Sequence, residues 1–298
     1  MRRVAKWLGY LAGGLATLVL LLAAGVYGAS EARYRKEWPV VAKPVTVQRD
    51  SATIARGAHV VHALGGCTSC HGDNLAGTKM IDDPAFGRIY ALNLTRGKGG
   101  VGSTLSDADF DRAIRHGLAP TGRALKIMPS TDYANLSDED LAAVIAFVRS
   151  IPPVDNELPL STVGPVARAL MVAGKIPLLE AEHIDHERLH VLSVSRTPMA
   201  GYGAYLASVS CKGCHGPKLN GGRIANGPPE WPPAANLTPA GPTKTWTEED
   251  FRRLLREGKR PDGSAVNAAM PWRHFRNMTD DEITAIFFYL RTVQPVAT

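Results

Sequence analysis

From Trp7 to Ala29 the chain runs for 23 residues without a charge, and Arg2, Arg3 and Lys6 precede the run. At helical rise it spans roughly 35 Å, enough to cross a bilayer. Trp7, Tyr10 and Tyr27 fall near its ends, where aromatic side chains favour the membrane interface. The pattern predicts a retained single-pass anchor at 7–29, with residues 1–6 as a cytoplasmic tail by the positive-inside tendency. A cleaved signal peptide is the competing expectation. Its best small-residue site puts bulky Tyr27 where a small side chain is wanted. Residues 30–50 read as a polar spacer.

Beyond the spacer the apolar positions recur at helical spacing, and they do so twice. Leu141, Val144, Ile145 and Val148 share one helix face, and Ile283, Ile286, Phe287 and Leu290 share its counterpart. Ser137 and Thr279, each followed by acidic residues, predict the N-caps of these last helices. Ser106 predicts another cap and Gly117 the stop of that helix. Further helices are expected at 53–64 and 201–209. Five landmarks keep their spacing at a period of about 144 residues. His71 to Asn93 is 22 positions and His215 to Asn236 is 21; Met128 to Phe147 and Met270 to Tyr289 are both 19. Such a repeat means one fold used twice. The expected architecture is all-α, with domains at 51–153 and 198–298 and a proline-rich linker, 154–197, carrying a short helix near 166–173. Little in either copy alternates with period two, so few strands are expected.

Formal net charge is +6, and the excess is spread along the chain. No basic stripe interleaves with stacking aromatics, which excludes nucleic-acid binding. An acidic protein partner or anionic lipid fits the balance better. His183, His186 and His190 fall at i, i+3 and i+7; they read as a solvated or capping cluster, with a metal site the lesser reading.

The four cysteines form two tight pairs, each followed at once by histidine: Cys67-Thr-Ser-Cys70-His71 and Cys211-Lys-Gly-Cys214-His215. Two cysteines on one helical turn reach both vinyl groups on one edge of a porphyrin, and the next histidine meets the iron. A zinc site would leave both histidines unexplained. A thioredoxin-like pair needs a βαβ setting that is missing here. A plain disulfide loop is the third bland reading. Met128 and Met270 are the candidate sixth ligands: each occupies the same slot of the repeat and precedes a proline. Met80, Met171, Met199 and Met278 have no repeat equivalents. The Asn-Leu-Thr stretches at Asn93 and Asn236, with Arg88 and Arg223, are candidates for haem propionate contacts, with a plain polar turn as the alternative. Leu75, Leu219, Phe110 and Phe251 are expected to wall the haem.

On these motifs residues 51–298 resemble the class I cytochrome c family in tandem dihaem form. They are similar to the cytochrome partners and subunits of periplasmic quinoprotein dehydrogenases, some of which carry three haem motifs where this chain has two. The resemblance implies two cytochrome c-like haem domains holding two haem c groups. Covalent attachment falls to Cys67, Cys70, Cys211 and Cys214, and iron ligation to His71, Met128, His215 and Met270. It implies an electron carrier without a catalytic residue, anchored in a bacterial inner membrane with its haem domains in the periplasm. Its redox partners would be dehydrogenase or oxidase components. The alternative is a peroxidase-like dihaem enzyme with one labile sixth ligand.

Overall fold

The computed structural model of the chain describes residues 2–41, 45–225, 227–228 and 230–297. Met1, residues 42–44 of the expected spacer, and Asn226, Pro229 and Thr298 of the expected second domain lie outside these. Helix α1 (Arg2–Arg35) is 34 residues long and continues past Ala29. The first domain begins with α2 (Ser51–His59), capped by Asp50, whose carboxylate accepts from Thr53 N at 2.9 Å. The helix then widens into a π turn over Val60–Leu64. Gly57 and Cys67 are 10 residues apart, where Gly203 and Cys211 are 8 apart, and the wider turn absorbs the extra residues. Next come α3 (Thr68–His71), strands β1 (Thr78–Asp83) and β2 (Gly87–Ala91), α4 (Asp107–His116), α5 (Ser130–Tyr133) and α6 (Asp138–Ser150). The linker supplies the two-residue strand β3 (Thr162–Val163) and α7 (Pro165–Val172). The second domain is α8 (Ala200–Ser210), α9 (Lys212–His215), α10 (Glu248–Glu257), α11 (Trp272–Phe275) and α12 (Asp280–Thr292).

Both domains close by the same crossing. Gly57 of α2 lies so tightly on α6 that a Cβ there would sit 1.9 Å from Ala143 O. Gly203 of α8 meets Ala285 O of α12 at the same 1.9 Å. The helix starts follow the sequence. Ser106, Thr247 and Thr279 each close a reciprocal capping box, and Ser137 accepts from Asp140 N. Gly117 (φ 64°) and Gly258 (φ 68°) end α4 and α10 in the left-handed conformation that glycine adopts without steric cost. A single apolar core runs through both domains, from Val60, Leu64 and Leu141 to Leu206, Phe251 and Ile286. A smaller one, around Ile89, Met171 and Leu179, seats the linker on the first domain.

The mainly helical expectation holds, with one addition. β1, β2 and β3 form an antiparallel sheet in that order. On β2, Gly87, Ile89 and Ala91 face inward. Two of those three side chains are too small to give an alternating apolar signal. The linker histidines also differ from expectation. Glu180–His183 is a 3-10 turn and the chain beyond it is not helical, so the i, i+3, i+7 face does not form. Instead His186 Nδ1 stands 3.1 Å from His116 Nδ1 at the end of α4, with the His190 ring beside His116. Burial, reinforced by its histidine neighbours, pushes His116 down to about 4. Among the described residues no group of three or more His, Cys, Asp or Glu side chains is arranged to hold a metal ion.

Candidate haem sites

Each cysteine pair and its histidine sit on one short helical turn, Cys67 to His71 on α3 and Cys211 to His215 on α9. None of the four cysteines is joined to another in a disulfide, and all four are half-buried. Burial pushes Cys67 and Cys211 up to about 12, so both stay protonated at neutral pH. After each histidine the chain turns sharply, with Gly72 and Gly216 both at φ 79°. Leu75 (φ 55°) and Leu219 (φ 58°) hold the left-handed conformation despite their Cβ atoms. Each side chain is 1% exposed, and that burial offsets the backbone cost of roughly 1–2 kcal/mol.

That turn sets the histidine. Leu75 O accepts from Leu94 N at 2.8 Å, and Leu219 O accepts from Leu237 N at 2.8 Å. The clamped segment then brings Leu92 O to 2.8 Å from His71 Nδ1, and Ala235 O to 2.7 Å from His215 Nδ1. A carbonyl only accepts, so in each ring Nδ1 carries the proton and Nε2 keeps its lone pair. This is the second-sphere arrangement that orients an iron-binding imidazole. Burial lowers the pKa of both histidines, against a partial upward pull from that hydrogen bond, which keeps the rings neutral. The donor set therefore fits a covalent haem: two thiols one turn apart and a fixed neutral imidazole, twice.

Met128 and Met270 are half-buried and share a backbone trace. Met128 O accepts from Ser130 N and Met270 O from Trp272 N, both at 2.8 Å. The following prolines have nearly equal torsions, φ −79° and ψ 57° against φ −81° and ψ 47°. Met270 packs on the same core as Cys211.

The Asn-Leu-Thr stretches belong to the fold. Asn93 Oδ1 accepts from Thr95 N and Oγ1 at 2.9 and 2.8 Å, while its Nδ2 donates to Val154 O at 2.8 Å. Asn236 repeats this with Thr238 and Val296 O. Each knot ties the haem-side loop to the chain leaving the last helix. Asn93 and both threonines are fully buried, committed inward rather than to a propionate. Arg88 is exposed and pairs with Asp82 at 3.3 Å, and Arg223 is exposed. Leu75, Leu219, Phe110 and Phe251 are all buried.

The two halves meet with approximate twofold symmetry. His59, two residues after Gly57, bonds Glu282 across the junction at 2.8 Å; Tyr205, two residues after Gly203, bonds Asp140 at 2.7 Å. Arg56 grips Asp140 with two bonds of 2.7 and 2.8 Å and reaches Glu282 at 3.3 Å. Burial raises the Glu282 pKa, but hydrogen bonds from His59 and the Thr279 backbone, with the Arg56 charge, outweigh it and bring it to about 2. The attachment turns obey the same symmetry. Ser69 Oγ lies 3.0 Å from His274 Nε2, four residues past Met270. Gly213, the matching position, lies against Asp132, four residues past Met128; a Cβ there would be 2.1 Å from its carboxylate. Burial, with the Glu180 charge adding, pushes Asp132 up to about 7. Ser210 Oγ also donates to Leu64 O at 2.9 Å. Sequence reading missed these contacts, because they join residues up to 226 positions apart with no local signature.

Residues 52–148 match the family described as cytochrome C oxidase, cbb3-type, subunit III, and residues 200–294 match the cytochrome c family. The gluconate 2-dehydrogenase cytochrome c subunit of Pantoea cypripedii is 31% identical over 83% of this chain and 60% of its own length. The cytochrome c subunit of alcohol dehydrogenase (quinone) from Gluconacetobacter polyoxogenes is 30% identical over 84% and 58%. The chain thus spans about three fifths of these two relatives. A diheme cytochrome c-type protein of Cereibacter sphaeroides is 27% identical, over 94% of this chain and 98% of that one. With matching turns, caps and imidazole settings in both halves, the chain carries two cytochrome c domains in tandem, for two haem c groups.

Proposed function

We propose that Cys67 and Cys70 hold one haem by thioethers and Cys211 and Cys214 the other, each thiol adding across a vinyl group. His71 and His215 present Nε2 to the irons, and Met128 and Met270 supply sulfur from the opposite sides. A bound haem supplies reversible one-electron chemistry at its iron. With His71, Met128, His215 and Met270 as ligands, the chain's own residues would hold both irons and leave no site for a substrate. The single observation behind this reading is the paired hydrogen bond from His71 and His215 Nδ1 to a loop carbonyl, which fixes the metal-binding tautomer twice.

The two attachment turns each touch the other domain, so exchange between the sites runs over the Ser69–His274 and Gly213–Asp132 contacts. α1 anchors the chain in a bacterial inner membrane, N-terminus inside, with both domains on the periplasmic side. The packing of Ser30 and Arg33 against α7 supports a retained helix, since cleavage near residues 27–29 would cut through an integrated element. The names of the relatives support a dehydrogenase as electron donor, with a respiratory oxidase as acceptor. The test is carbon monoxide binding. Reduced wild-type protein should bind none, and Met128→Ala and Met270→Ala should each bind one equivalent. Stoichiometric binding by wild type would favour the enzyme with a labile ligand.

A further inference from the structure

The end of the first domain on which the linker helix α7 sits is built against the top of the anchor. From Trp7 to Tyr27, α1 rises about 30 Å, the thickness of the hydrocarbon layer. The helix then continues to Arg35, and these last turns are packed. Ser30 is fully buried and accepts from Arg168 Nη1 at 2.7 Å. Arg33 donates to Met171 O at 2.7 Å and pairs with Glu182. The Arg168 guanidinium lies over both Tyr27 and Tyr34, 4.9 Å from each ring.

These contacts advance in equal steps, Ser30 with Arg168 and Arg33 with Met171, so α7 runs parallel to α1. Two residues back from the first pair, Val166 falls level with Gly28, beside Tyr27. The tip of the β1–β2 hairpin is fastened to this same end: Val166 N donates to Ala85 O at 3.0 Å and Gly164 N to Phe86 O at 2.9 Å. Three large side chains therefore stand exposed at the level where α1 leaves the apolar layer: Tyr27 at 45%, Val166 at 41% and Phe86 at 40%.

We propose that the first domain rests on the phospholipid bilayer, with Phe86 and Val166 joining Tyr27 in the boundary between headgroups and acyl chains. The surface is continuous with the apolar face of α1, which is what commits it to lipid rather than to a protein. Side chains at that boundary sit about 5–10 Å deep and favour it by their apolar area. The contacts from Arg33 and Arg168 prevent the domain from swinging on a tether. The first haem domain is thus held at a fixed height above the membrane. This inference rests on reading α1 as a retained span.

The experiment uses full-length holoprotein in phosphatidylcholine–phosphatidylglycerol vesicles. With the native cysteines in thioethers, one added cysteine takes a nitroxide label: Phe86→Cys, Val166→Cys, Leu18→Cys inside the span, or Phe288→Cys on the second domain. Phe288 is 44% exposed, matching the test sites. Electron paramagnetic resonance then reads collisions with oxygen and with a water-soluble nickel chelate. Labels at 86 and 166 should be several-fold less accessible to nickel and more to oxygen than the label at 288. Equal nickel access at 86, 166 and 288, with 18 deep in the bilayer, would overturn the proposal and leave the span standing. Water-like access at 18 would overturn the span and the proposal together.

Discussion

Gly203→Ala gives the sharpest test of how the domains close. On an unobstructed helix, alanine in place of glycine stabilises by about 1 kcal/mol. Here the added Cβ would lie 1.9 Å from Ala285 O, 2.5 Å from its carbonyl carbon and 2.8 Å from Tyr289 Cβ. A carbon–oxygen contact relaxes at about 3.3 Å, so α8 and α12 must separate by roughly 1.4 Å. The obstruction is backbone, so no side-chain rotation relieves it. A gap of about 0.5–1 Å already forfeits a quarter to a half of the dispersion energy along the seam, and this one is wider. Overpacking of this kind costs about 3 kcal/mol. After the propensity gain, the protein should lose about 2 kcal/mol, or roughly 4–8 °C in midpoint for two domains that share one core. Thermal unfolding of the holoprotein, followed by circular dichroism and the haem absorbance, measures it. Gly57→Ala should behave alike, since its Cβ also meets Ala143 O at 1.9 Å. Gly201→Ala, on the same helix with nothing within 4 Å, should be neutral or stabilising. A higher midpoint for Gly203→Ala would refute the close crossing.

Other outcomes follow from the junction and the loop knots. Glu282 has a pKa of about 2 in the fold against 4.5 unperturbed, so its ionised form contributes about 3 kcal/mol above pH 4.5. That contribution should vanish as pH falls through 2: in denaturant titrations, wild type should exceed Glu282→Gln at pH 7, and the gap should close in acid. A gap that does not change with pH would count against the buried network. Asn236→Ala strips hydrogen bonds from a buried knot and should cost about 2–3 kcal/mol, measured by guanidinium unfolding; a loss under about 0.5 kcal/mol would mean the knot is dispensable. Gly213→Ala meets only the carboxylate end of the Asp132 side chain, which can swing aside, and should cost under about 1 kcal/mol, as should Ser69→Ala in the same titration.

Much of this was readable because the chain states it twice. Ser106, Ser137 and Thr279 cap their helices where the sequence places them, and Gly117 stops α4. Local signals suffice there, since a cap acts within one turn. What escaped was non-local. Glu31 and Arg33 look like a polar spacer, yet they stay helical because Arg168, Glu182 and Met171 O receive them. β2 hides its alternation behind Gly87 and Ala91. Asn93 and Asn236 were legible as a repeated motif, but their partner carbonyls, Val154 and Val296, stand about 60 residues further on. The π turn after α2 had a signal: the spacing of 10 against 8 residues between helix glycine and first cysteine.

The central claim is that two porphyrins are bound through four sulfurs. Peptide mass spectrometry of protein produced with the haem-attachment machinery tests it most directly. The peptide containing Cys67 and Cys70 and the peptide containing Cys211 and Cys214 should each carry one haem that survives denaturation. Finding either pair as free thiols or as a disulfide, with no added porphyrin, would contradict the account.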